Sequence, residues 1–329
     1  MDKTYDRRLG FLTLAILLTL WGGSGLIGDT RGYTDALYWP DYTIPEVPAG
    51  GVLEEAGFQP GDSVVSVEGI PVETLGMYSR WPRALSRKPG ESIEMVVDRD
   101  GALVAGTVVY RTRPQGVTQT RWTLFLFVLS FLWLGMWLLF TTRTPHAERF
   151  AMVGLVAALA IPGPNLGSLS GVMDHVQVAA EILCLILVVH FLLLFPKPKR
   201  LARSPLVGLL YLPWLALLGC LVAELVAHPR LYHAFGGYIG ILFLGYVVGA
   251  VLVVAHTALT ATRAEWEPSG LGLILAGWSL ALVPNLIGLA AWMLVPGFTV
   301  PGQRWLPLLL MAIPASMALA VRKEAARQA

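Results

Sequence analysis

Ala56-Gly57-Phe58-Gln59-Pro60-Gly61-Asp62-Ser63-Val64-Val65-Ser66-Val67-Glu68-Gly69-Ile70-Pro71-Val72 is the stretch on which the reading of this chain turns. Pro60-Gly61-Asp62 predicts a tight turn, because proline presets φ and glycine accepts a conformation that other residues resist. Val64 and Val65 then open a strand, and Glu68-Gly69 turns the chain again. Downstream, Met77 to Leu85 predicts a short helix, and Pro89-Gly90-Glu91 leads into an alternating strand over Ser92–Val97. Arg99-Asp100-Gly101 makes a hairpin to Val104–Tyr110. These signals predict one small β-rich domain within residues 29–121.

On either side of this polar segment the chain becomes apolar. Residues 9–27 form a first run, preceded by Lys3, Arg7 and Arg8. It reads as a cleaved signal peptide or an uncleaved anchor, with the anchor preferred, and both send the next segment across the membrane. Further runs lie near 122–141, 150–172, 176–195, 205–226, 236–261, 270–295 and 305–321. Each approaches the roughly 20 residues that cross a bilayer as a helix. Pro162, Gly163 and Pro164 break or bend the run at 150–172, so that segment is expected inside the bundle or lining a cavity. The predicted architecture is a mainly α bundle of about eight transmembrane helices, with the β-rich domain between the first and second. Its parts are an anchor (1–28), the polar domain (29–121), a seven-helix bundle (122–321) and a short tail (322–329).

Composition agrees. Hydrophobic residues make up 55% of the chain, charged residues 14%, and mean hydropathy is +0.62. A soluble domain carries about 25% charged residues, so much of this surface is fitted to lipid. Net charge is only +2, which argues against nucleic acid as a partner. Basic residues gather on one side of the predicted spans: Lys3, Arg7, Arg8, Arg143, Arg149, Lys197, Lys199, Arg200, Arg203, Arg263, Arg322, Lys323 and Arg327. Short loops on the other side hold Arg230 and Arg304. The positive-inside rule then predicts cytoplasmic termini and an extracytoplasmic β-rich domain. Cys184 and Cys220 both lie in apolar runs and read as packing residues. The sequence contains neither CxxC nor HExxH, so no metal site or other cofactor is expected.

Three stretches resemble known families. Ala56, Gly57, Phe58, Gly61, Asp62, Val64 and Gly69 stand where bacterial PDZ domains carry their A-G-L-x-x-G-D-x-I-x-x-v-n-G pattern, and the resemblance runs from about residue 42 to 111. It implies a PDZ-like fold with Gly57, Gly61, Asp62 and Gly69 as its signature. It also implies a peptide or protein ligand held by strand addition. The loop that would hold a peptide end falls near 32–42, where Gly32-Tyr33 is the partial match. His190-Phe191-Leu192-Leu193-Leu194-Phe195-Pro196 and Met311–Arg322 resemble helix ends in the membrane sensor regions of bacterial histidine kinases of the competence-pheromone-receptor type. Similar regions also front sporulation-type phosphatases. Residues 322–329 leave no room for a kinase domain, so that resemblance implies a sensor whose output is a separate histidine kinase or other cytoplasmic protein.

Ionisable groups in apolar runs are functional candidates because their burial in lipid is costly. They are Glu181, His190, Glu224 and His256, with Asp174, His175, His228 and His233 near the outer helix ends. A packed, hydrogen-bonded histidine is the competing reading for His190 and His256. No catalytic residue is assigned: Gly167-Ser168-Leu169-Ser170-Gly171 has a nucleophile-like look but follows a broken helix instead of a strand. The expectation is a non-enzymatic sensor of a bacterial cytoplasmic membrane. The alternatives are an assembly factor or chaperone for exported polypeptides and, third, a transporter.

Overall fold

A computed structural model describes residues 3–27, 32, 42–44, 46–72, 87–112, 115–161, 170–227, 231–262, 266, 269–294 and 303–328. Within these, α1 (Lys3–Ile27) precedes a small domain containing α2 (Val52–Glu55), β1 (Ser63–Val67), β2 (Ile70–Pro71), β3 (Ser92–Arg99) and β4 (Ala102–Val109). The helical part follows: α3 (Gln115–Thr141), α4 (Pro145–Leu159), α5 (Ser170–Leu194), the short α6 (Arg200–Arg203), α7 (Leu212–Ala227), α8 (Leu231–Thr260), α9 (Leu271–Leu294) and α10 (Ala312–Gln328). 3₁₀ turns at Pro205–Tyr211 and Gln303–Met311 lead into α7 and α10. The expected helix over Met77–Leu85, the Pro162–Pro164 break and the Gly167–Gly171 string lie outside the described residues, apart from the helical Ser170 and Gly171.

The four strands form an antiparallel sheet in the order β2-β1-β3-β4. Its turns follow the sequence chemistry. Arg99 faces Ala102 across Asp100-Gly101, and Val67 faces Ile70 across Glu68-Gly69. Both central residues of each turn have positive φ, the geometry that matches strand twist in a two-residue hairpin. On β3 the alternation is regular, with Ile93, Met95 and Val97 buried. On β1 the register shifts between Val64 and Ser66. This bulge turns both Val64 and Val67 inward and leaves Val65 exposed, which strict alternation does not predict. Ile44, Leu53, Phe58, Val108 and Tyr110 complete the small core.

Seven helices of the described residues are long and apolar enough to span a bilayer. The protein is therefore a multi-pass membrane protein, a helical bundle with a small β-rich domain after its first helix. The run expected at 150–172 contributes α4, which starts at Pro145 and ends at Leu159. Thr144 fixes its start, its hydroxyl accepting from the Ala147 amide at 3.3 Å with Pro145 in the first turn. Its 15 residues reach roughly 22 Å, short of a full hydrocarbon layer.

Aromatic contacts tie the bundle together. Phe131 of α3 meets Phe150 of α4 at 5.9 Å, Phe150 meets Phe191 of α5 edge-on at 5.8 Å, and Phe191 stacks on Phe195 at 5.5 Å. Ile274 and Trp278 of α9 and Met317 and Ala318 of α10 close the same core. A second cluster joins Ala15 and Leu18 of α1 to Leu132, Met136, Ala151 and Leu155. A third sets α7 on α5, where the Trp214 indole donates to the Ala179 carbonyl at 2.8 Å.

Candidate functional site

The Gly57–Asp62 turn is held by a side chain far along the chain. Asp62 is almost wholly buried, at 1% exposure. Its two carboxylate oxygens accept from Nε and Nη2 of Arg99, each at 2.8 Å, and Oδ2 also accepts from the Gln59 amide. Arg99 reaches further and donates to the Gly57 carbonyl at 2.8 Å. The planar guanidinium suits this two-pronged contact. Hydrogen bonding from Arg99 holds the Asp62 carboxyl below its ordinary value, against the opposing effect of burial. The PDZ signature residues Gly57, Gly61 and Asp62 are thus parts of one locked turn. Gly69 sits in the β1–β2 turn.

The chain entering this turn pairs with β1. Thr43 bridges Ser63 of β1, while Ile44 N donates to Asp62 O and Tyr42 O accepts from Val64 N, both at 2.8 Å. Neither Thr43 nor Ile44 is distinguished by composition, and their alignment with β1 was not readable from spacing.

Gly32 lies elsewhere: its amide donates to the Arg87 carbonyl at 2.6 Å, and a Cβ there would meet Tyr110 Cβ at 2.6 Å. Tyr33 lies outside the described residues.

In the bundle, His190 Nδ1 lies 2.6 Å from the Tyr211 hydroxyl. Gln177 Nε2 donates to Glu181 Oε1 at 3.2 Å. Thr260 donates to the backbone carbonyl of His256, one turn earlier, and His256 is among the residues that line a cavity at the helix ends. Glu224 belongs to α7, but its side chain lies outside the described residues, as do those of Asp174, His175, His228 and His233. Among the described residues no three His, Cys, Asp or Glu side chains gather as a metal would require.

Residues 43–99 match the PDZ domain family. A protein of Brucella suis named "putative zinc metalloprotease" is 38% identical over 80 residues, which is 23% of this chain and 20% of the relative. A Brucella melitensis protein of the same description matches to the same extent. One from Mesorhizobium japonicum is 40% identical over 70 residues, 21% of this chain and 18% of the relative. The chain thus matches about a fifth of the length of these relatives, and the likeness is confined to the PDZ region. No solved structure matches the chain.

These relatives correct the functional expectation. The reading as a non-enzymatic sensor, with an assembly factor or transporter as alternatives, is overturned by relatives named as zinc metalloproteases. The histidine-kinase resemblance fails for a physical reason. His190–Pro196 and Met311–Arg322 are composed mainly of residues that lipid and helix packing select in any membrane protein, so their likeness to a sensor region carries little information.

Proposed function

We propose that this protein works in proteolysis at the membrane, with its PDZ domain engaging the polypeptide that is to be cut. The observation that carries this is the likeness to metalloproteases, which falls on the PDZ domain. Strand addition of an extended segment is the usual mode by which such domains take a polypeptide. A buried core and the Asp62–Arg99 contact hold the domain's fold, which lowers the ordering cost of binding.

The zinc of such proteases does not fit the described residues. The HExxH pattern is missing from the sequence, and no donor cluster of sufficient size forms among the described side chains. No bond-breaking step is assigned to zinc or to any residue here. The role proposed for this chain is recognition and placement, supported by a PDZ domain set between the membrane helices α1 and α3.

The test places a photo-crosslinking amino acid at the exposed Val65 of the PDZ domain, in the full chain in its native membrane. Crosslinked polypeptides should be ones whose membrane-proximal cleavage slows when the chain is deleted. Cleavage unchanged on deletion for every captured polypeptide would end this reading.

A further inference from the structure

A second site lies in the bundle, remote from the PDZ domain. Four elements meet around a cavity of about 230 Å³: the segment between α5 and α6, the end of α8, the start of α9 and the end of α10. Among the described residues Lys197, Lys199 and Arg327 line it with one carboxylate, Glu324; His256 and Thr260 also line it. Glu324 is close enough to Arg327 and Lys197 to feel their charge, so Lys199 is the cation it compensates least. Lys199 is half-buried, and its ammonium donates to the carbonyls of Leu192 and Phe195 at 2.7 and 3.1 Å. An ammonium has three donors, so one is left for a ligand. Burial pushes the Lys199 amine down to about 8, a penalty that a neighbouring anion relieves.

The depth of the cavity identifies the class of anion. The apolar spans that surround it end at Leu194, Thr260 and Arg327 or begin at Leu271, so the cavity opens where the chain leaves the hydrocarbon. Leu259, 87% exposed, and Leu252, 62% exposed, run down α8 beside it as an apolar track. A charged head in the cavity with acyl chains along α8 satisfies both surfaces. We propose that this cavity binds the phosphate of an anionic membrane lipid, held by Lys197, Lys199 and Arg327. Basic pockets between helices at a membrane face suit phosphate heads on the same physical grounds. The inference is independent of what the PDZ domain engages.

Native mass spectrometry of the full chain, released from detergent, reads the outcome. Phosphatidylglycerol should stay bound in preference to phosphatidylcholine of the same acyl chains. Arg327→Gln should cut the retained phosphatidylglycerol about fivefold, as expected for the loss of one cation near a lipid surface. Lys199→Gln should do so at least as strongly, but it also removes a helix cap. Arg327, exposed in the last turn, therefore supplies the decisive variant. Equal retention of the two lipids, or unchanged retention in a folded Arg327→Gln, overturns the proposal. Displacement of phosphatidylglycerol by millimolar inorganic phosphate overturns the lipid as the source of the anion.

Discussion

Removing the Arg99 side chain would leave Asp62 buried with the Gln59 amide as its remaining partner. An aspartate in that position loses a two-pronged, charge-assisted contact, and Arg99→Ala should destabilise the PDZ domain. Acid sensitivity follows from the same contact. Arg99 holds the Asp62 carboxyl below its ordinary 3.8, so its contribution to stability is complete above that value and is lost as pH falls through the lower folded value. Without Arg99 burial dominates, so the Asp62 charge opposes folding above its raised value and the variant starts from lower stability at neutral pH. Pepsin digestion of the full chain, stepped from about pH 5 to about pH 2, checks this. Cleavage within 56–72 should begin at a higher pH in Arg99→Ala than in the parent protein. Equal onset would mean that the contact does not hold the turn. The residue types were visible in the sequence, where Asp62 and Arg99 each marked a turn. Their partnership spans 37 positions, a separation at which spacing carries no pairing signal.

Among the elements, the hairpins were legible because two-residue turns need backbone conformations that few sequences accept, and Asp100-Gly101 advertises one. The bulge in β1 was not legible, since its signal is a register against β3 that exists only after pairing. Close approaches between elements were equally hidden. A Cβ on Gly106 of β4 would strike the Ala56 carbonyl at 2.6 Å, so this position lets α2 and Phe58 lie on the sheet. Gly154 does the same between membrane helices: a Cβ there would meet Phe131 O at 2.6 Å and Leu132 Cα at 2.8 Å. With no water between helices to expel, close backbone contact of this kind is a main source of helix association in lipid. Gly154→Val should therefore part α3 from α4 and destabilise the bundle by about 1–3 kcal/mol, the usual cost of overpacking. The variant should show a lower thermal aggregation temperature in detergent, whereas the same change at Gly208, which has open space around it, should not. An unchanged melt in Gly154→Val would show that α3 and α4 do not need this contact.

For the whole molecule, the spans were readable because hydrocarbon tolerates only long apolar helices, but their assembly was not. That assembly gathers charge at one end. Arg7 of α1 pairs with Glu148 of α4 at 3.4 Å, Arg322 of α10 lies over Trp137 of α3 at 5.1 Å, and Lys197 and Lys199 share a cavity with Arg327. The small domain is attached at Ile27 and Gln115, the ends of α1 and α3 away from this cluster. A basic cluster on one end of a bundle marks the cytoplasmic side, so we predict that Gln59 faces away from the cytoplasm and Lys323 into it. With Cys184 and Cys220 replaced by alanine, Gln59→Cys in intact cells should react with a membrane-impermeant maleimide, and Lys323→Cys should react only after lysis. The opposite pattern would put the PDZ domain on the same side as cytoplasmic polypeptides, and the substrates sought by crosslinking at Val65 would then have to be cytoplasmic ones. Orientation thus decides which pool of polypeptides the PDZ domain can meet, independently of its affinity for them.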